Sequence, residues 1–546
     1  MSIWDTLRQI KLKRFCNWMK KRSFTVGNKT IKLREDRAFY RKCLIIAQNR
    51  PELLVKMPEL IGNYEMSIIP RSVFSPDGSP LLCVDKASLM TRIIAHQPVQ
   101  GQLSVAGDRE KVLIIDAMVE AKALRKRDSD TKLVNLKQAF ISRIKNKAAG
   151  GYQEIRVLFD QWKKDSLKEK TRNKRAENTG ISTDEEDKGF DMHDDMIITE
   201  TKLTALMGTN TSKTQIAAYF ADGLLQEYNG NENVKLIVTY GEKICINRPH
   251  SLKEEFQSHS HEEADTQIPL HIVDALSESS YKHIDIYSTD TDVLVLLIDL
   301  VSSEIVGPLT NVIMHAGKGR ALKPIDVVDR VKSIGMERSR GLVGMHQFTG
   351  NDYGAKFVGV TKDRWAKQYL KLPPNHEIVR AFSSLGTLEP EQCALDASEN
   401  LHPMVRPLET FVCMTYNKED PSLDLPNLRY KLWSKKSTEG ENLPPCRATL
   451  APVIKQSNFL SRLYKSYRVP HPELPLLTIS GWVRDKKTNT IQPEHCLLPP
   501  APKSIMELVK CQCPKGDCSS AVCSCKKNDM LCTSLCGCSD RCVNDN

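Results

Sequence analysis

Nine of the chain's 17 cysteines stand in its last 36 residues, at Cys511, Cys513, Cys518, Cys523, Cys525, Cys532, Cys536, Cys538 and Cys542. The number is odd, and three pairs follow a Cys-x-Cys spacing. The amino-terminal stretch MSIWDTLRQIKLKRF lacks the apolar core of a signal peptide. A reducing compartment is therefore expected, the nucleus foremost, and with it metal thiolates rather than disulfides. Zinc takes four thiolates in a tetrahedron. Nine sulfurs serve three zinc ions when three of them each bridge two ions. So short a segment has little apolar core, and the metal would supply most of its folding free energy. The other eight cysteines are scattered singly and read as small buried hydrophobes.

A second constellation is acidic. Asp116 closes the apolar run KVLIID and Asp160 closes IRVLFD. Glu263 and Asp265, with Glu262 beside them, open the helical pattern HEEADTQIPLHIVDAL. Asp290 and Asp292 follow HIDIY in STDTD, and Asp352 in TGNDYG is placed at the start of a further helical segment. Two like charges about 4 Å apart repel by roughly 4 kcal/mol at an effective dielectric near 20. Such a cluster needs cations or raised pKa values. Oxygen donors without His or Cys select Mg²⁺ or Mn²⁺. Two such ions about 4 Å apart suit in-line displacement at a phosphodiester. Any single Asp at a strand end is as readily a helix N-cap. His259 and His261 could hold a transition metal, but read first as solvated loop residues.

The elements that would carry these groups alternate. Apolar strands (KVLIID, IRVLFD, VKLIVTY, HIDIY) are interleaved with amphipathic helices (LVNLKQAFISRIKNKA, KTQIAAYFADGLLQEY, IDVVDRVKSIG). That pattern predicts an α/β domain around a mainly parallel sheet buried on both faces. The densest apolar run, Val293 to Ile298, has the length of a buried strand. No stretch approaches the roughly 20 apolar residues of a membrane span. The net charge of +11 favours polyanions only weakly over 546 residues. The expected division is a mixed α/β region over 1–105, the acid-bearing α/β domain over 106–380, an irregular Pro/Leu-rich appendage over 381–505, and a zinc module over 506–546. A charged, partly disordered insertion is expected at 163–200.

These motifs, in this order from 108 to 370, resemble the flap endonuclease/XPG branch of the PIN-like nucleases. The resemblance implies a three-layer α/β/α PIN-like domain whose acids bind two divalent ions. In RVLFDQWKKDSLKEKTRNKR it implies that Lys168 and Arg175, seven residues apart on one helical face, engage the scissile phosphate. Gly359-Val360-Thr361 departs from the family's Gly-hydrophobic-Gly turn, and Asp265 stands where Glu is usual. The cysteine segment resembles the tesmin-type CXC domain. That implies three zinc ions and DNA contact by nearby basic side chains, here Lys515, Lys526, Lys527 and Arg541. A narrower resemblance, including IIPRSVFSPDGSPLLCVDK, is to transposon-associated-looking metazoan proteins that couple a PIN-like domain to a CXC motif.

Two functions are expected from this. One is a divalent-metal nuclease acting on structured nucleic acid, DNA before RNA, with no membrane partner. The other is a catalytically inactive scaffold or chromatin-binding protein whose working part is the zinc module. Asp290→Asn separates them by abolishing cleavage only in the first. Removing one repelling charge there is also expected to raise metal-free stability slightly.

Overall fold

The computed structural model describes residues 23–26 and 29–32 as backbone, and, with short interior gaps, 51–96, 110–163, 167, 189–247, 258–501 and 511–544. Most of the 163–200 insertion lies outside the described residues, and with it Lys168 and Arg175; so do Lys515 and Arg541.

Seven strands build one sheet: β1 (Lys111–Asp116), β2 (Glu154–Leu158), β3 (Lys235–Tyr240), β4 (Lys243–Ile246), β5 (His283–Tyr287), β6 (Asn311–Ala316) and β7 (Lys323–Asp326). Their spatial order is β4-β3-β2-β1-β5-β6-β7. The five inner strands are parallel and both edge strands are antiparallel. Strand alternation sends Val112 and Ile114 of β1 into one apolar layer and Leu113 and Ile115 into the other. This is the three-layer α/β/α arrangement expected of near-continuous apolar strands.

Among the described residues, two helices precede the sheet, α1 (Pro51–Asn63) and α2 (Ala87–Ile94). One face is covered by α3 (Ala117–Lys122), α4 (Leu133–Ala148), α5 (Glu200–Leu206) and α6 (Asn210–Glu227). The other carries α7 (Ala264–Glu278), α8 (Thr291–Ser302), α9 (Val327–Ile334) and α10 (Met336–Phe348). The apolar run Val293 to Ile298 is therefore the middle of α8 and not a strand. Nearly every residue of α8 is buried. With no polar face it has no helical periodicity to display.

Beyond the sheet come α11 (Lys362–Leu370), α12 (Glu377–Ser384), α13 (Arg406–Tyr416), α14 (Leu425–Lys436) and α15 (Arg447–Lys465). Where an irregular appendage is expected from 381, Phe382, Phe411, Ile454 and Tyr464 join the same apolar cluster as Ile284 of β5. Pro407 and Pro426 explain the misreading. Both fall in the first turn of a helix, where a missing N–H leaves no bond unmade. Among the described residues no helix is long and apolar enough to cross a membrane.

The cysteine segment, with its short helix α16 (Ser524–Lys527), shares an apolar cluster with Leu60, Ile61 and Met66 at the end of α1. Arg429 of α14 staples that corner. Its buried guanidinium donates to the carbonyls of Ile61 (3.1 Å) and Tyr64 (2.7 Å).

Candidate active site

After β1 the chain proceeds outward through β2 and β3, whereas β5 and β6 extend on the opposite side of β1. The carboxyl ends of β1 and β5 therefore flank the topological switch point, where open α/β sheets form their ligand crevice. Asp116 is the last residue of β1 and the N-cap of α3, accepting a hydrogen bond from the Val119 N–H at 3.2 Å. Asp290 follows β5 and caps α8, accepting from the Asp292 N–H at 3.0 Å. Ser288 ties the two ends together, its hydroxyl donating to Asp116 Oδ2 at 3.2 Å. Asp160 lies just past β2 and accepts from the Ala264 N–H at 2.9 Å. That bond sets the start of α7, and so Glu263 and Asp265, beside the β2 end. Cap and crevice are thus not alternatives, because capping is how the fold aims these carboxylates.

Asp265, Asp290 and Asp292 each offer an oxygen within 4.8 Å of the others. Lys86, the residue preceding α2, reaches into the same place. Its Nζ lies 3.1 Å from Asp290, 3.2 Å from Asp292 and 3.2 Å from Asp352. Asp292 is fully buried and accepts from His346 Nε2 at 2.7 Å and the Tyr464 hydroxyl at 3.0 Å. Tyr353 donates to Glu263 Oε2 at 2.8 Å. Asp352 sits in the loop between α10 and α11 rather than at a helix start. Asn351 shapes that loop by accepting from the N–H groups of Tyr353 and Gly354. Gly350 makes it possible: its φ is +103°, and a Cβ there would meet Lys356 at 2.9 Å. Buried Lys362 braces the loop from below, donating to the carbonyls of His346 and Gly350 and to the Thr349 hydroxyl.

The electrostatics follow from burial and crowding. Burial, then the neighbouring Asp160, pushes the Asp116 carboxyl up to about 7. Burial opposes charge on Lys86, but Asp292, Asp290 and Asp352 outweigh it and hold the amine protonated well above its ordinary range. Burial lowers Lys362 to about 8. The carboxylates offer only oxygen, so the donor set fits a hard divalent cation better than a soft one.

Sequence reasoning missed Lys86, His346, Tyr464 and Ser288. Two of them carried a signal: Lys86 ends the LLCVDK stretch, and Ser288 opens STDTD. The histidine expectation also fails: His259 and His261 are buried rather than solvated. The segment around Val469 and Pro470 covers their loop, with His261 Nε2 donating to the Val469 carbonyl at 2.8 Å. Neither ring nitrogen of His259 has a hydrogen-bond partner among the described residues. Burial lowers its pKa to about 3. A histidine near 6.5 when unfolded and near 3 when folded contributes stability above pH 6.5 that is lost as pH falls toward 3. His259→Leu should therefore gain on the wild type by on the order of a few kcal/mol between pH 7 and 4, and differ little at pH 8. Urea denaturation across that range checks it; a pH-independent difference would refute it.

The nine cysteines converge as well. Sγ–Sγ distances are 3.7 Å for Cys511–Cys518, 3.8 Å for Cys511–Cys532 and Cys523–Cys532, and 3.5 Å for Cys525–Cys536. Disulfides need about 2.05 Å. A zinc–sulfur bond of about 2.3 Å gives a tetrahedral edge of about 3.8 Å, so the spacing fits zinc thiolates. Four overlapping groups of four use all nine, with Cys511 and Cys532 each in three of them. Lys526 and Lys527 are exposed on α16.

No family model matches the chain, and no curated protein matches it. Solved structures do. A structure of the T5 D15 protein co-crystallised with metal ions aligns over 66% of this chain and 98% of its own, at 12% identity and a TM-score of 0.30. The catalytic core of Rad2 in complex with DNA substrate aligns in two complexes at 14% identity. One covers 48% of this chain and 61% of its own at a TM-score of 0.26; the other covers 62% and 83% at 0.28. Likeness at this level transfers no activity to this chain.

Proposed function

We propose that the chain is a divalent-metal-dependent nuclease that cleaves phosphodiester bonds of structured nucleic acid, DNA first, working in the nucleus. The observation that carries this reading is the gathering of Asp116, Asp160, Glu263, Asp265, Asp290, Asp292 and Asp352 around the switch-point crevice, linked through Ser288, the Ala264 N–H, Lys86 and Tyr353. These acids would hold Mg²⁺ or Mn²⁺, which supplies hydroxide at neutral pH and neutralises transition-state charge. His346, Tyr464 and Lys362 keep the Asp292 and Asp352 carboxylates in place. Lys168 and Arg175, on sequence spacing, would orient the scissile phosphate. The cysteine segment would hold three zinc ions and anchor the enzyme on nucleic acid through Lys526 and Lys527, with Lys515 and Arg541. Such contacts read backbone charge and shape rather than base edges.

A second reading, a non-catalytic nucleic-acid binder, is favoured by one observation: the carboxylates already have a partner in Lys86. One assay decides. Full-length protein is offered labelled single-stranded, duplex, 5′-flap and hairpin DNA and RNA, with Mg²⁺, with Mn²⁺ and with chelator. Metal-dependent cutting is the expected result. Binding without cutting in every lane would overturn the nuclease and leave the binder.

A further inference from the structure

The sequence resemblance implies two divalent ions among the acids. The structure puts a lysine ammonium among the same acids. Lys86 Nζ is within 3.1 to 3.2 Å of three carboxylates that arrive from different elements: Asp290 before α8, Asp292 within it, and Asp352 from the loop after α10. A primary ammonium has three N–H donors, and three acidic partners match them.

The lysine is not a long surface side chain that happens to reach a negative patch. Its side chain is 20% exposed, and its backbone is fixed from both sides. Asp85, directly before it, accepts from the Lys362 N–H at 2.9 Å, binding the strap to the start of α11. Upstream, the carbonyls of Leu81 and Ser72 accept from the N–H groups of Lys356 and Val358. Downstream, α2 is held to α11 by Arg92 and Asp363 at 2.6 Å, and to α9 by Arg330 donating to the carbonyls of Ile94 and His96. The strap thus grips the same stretch, 350–362, that presents Asp352.

We infer that Lys86 is a resident cation of the carboxylate site, its ammonium neutralising Asp290, Asp292 and Asp352 so that the site takes one divalent ion instead of two. The inference rests on the proposed metal site. The single ion would use the Asp265, Asp290 and Asp292 oxygens, which converge within 4.8 Å. Lys86 would remain in place beside it as a positioning residue for Asp352.

Mn²⁺ titration followed by calorimetry and by the electron paramagnetic resonance of free Mn²⁺ tests this on full-length, zinc-loaded protein. Wild type should bind one ion at the acidic site. Lys86→Met, which keeps the length and removes the charge, should bind two, the first at least about tenfold tighter. Lys86→Arg should stay at one. A parallel measurement needs no variant: acetylation of Lys86 by acetic anhydride, with acetate as leaving group and read by mass spectrometry, should stay low with and without saturating Mn²⁺. Two ions on wild type, or Mn²⁺-dependent exposure of Lys86 to the reagent, would overturn the inference while leaving the metal site standing. No Mn²⁺ bound by any of the three proteins would instead overturn the proposed metal site.

Discussion

Asp290→Asn should abolish metal-dependent cleavage, by about three orders of magnitude or more, and leave the fold standing. A carboxylate ligand that helps neutralise a phosphodiester transition state is worth several kcal/mol, and each 1.36 kcal/mol is about tenfold in rate. The effect on stability is subtler than charge counting suggests. From sequence alone, removing one repelling charge should raise metal-free stability. In the structure Asp290 also caps α8 and pairs with Lys86 at 3.1 Å. Asn caps a helix nearly as well as Asp, so the cap survives. The lost attraction to Lys86 offsets the relieved repulsion from Asp265 and Asp292. The net change in metal-free buffer should stay within about 0.5 kcal/mol. Single-turnover cleavage, urea denaturation and zinc content together check this. Cleavage surviving in the variant would remove Asp290 from the site. A fall well beyond that margin would make its cap and ion pair dominant.

The fold was most legible where burial and periodicity agree. The runs KVLIID and LVNLKQAFISRIKNKA coincide with β1 and α4 because a doubly covered parallel strand is apolar throughout and a one-sided helix shows its stripe. Legibility failed where burial removed the stripe, as in α8, and where first-turn prolines imitated loops, as in α13 and α14. In the site, the acids could be picked out because their types and their places after strands are local facts. Their partners could not. Lys86 lies more than 200 residues from Asp290, and Tyr464 lies 172 from Asp292. Nothing near His346 marks that its Nε2 would meet a buried carboxylate. Contacts between such distant residues depend on helix packing, which spacing does not encode.

Removing the proposed zinc should unfold the cysteine segment and spare the sheet. Structural zinc contributes about 10–16 kcal/mol in small zinc-dependent units, and this one has few other means of holding itself together. Its apolar cluster is made of the cysteines themselves with Leu60, Ile61, Met66, Leu443, Ala501 and Met530, and Tyr64, Tyr430 and Trp433 pack against it. The two clusters that sandwich the sheet contain none of the nine. A strong chelator should therefore erase one calorimetric transition and leave the larger one. It should also weaken nucleic-acid binding, if Lys526 and Lys527 depend on α16. Cysteine variants should be graded by how many groups each sulfur serves. Cys532→Ser touches three of the four groups and Cys513→Ser only one, so the first should release more metal than the second. Equal loss in both would mean that sulfur sharing does not set the order. Loss of both transitions together would point instead to α14. That helix gives Leu425 and Leu428 to the main core and holds α1 through Arg429, and through it the metal would support the whole chain.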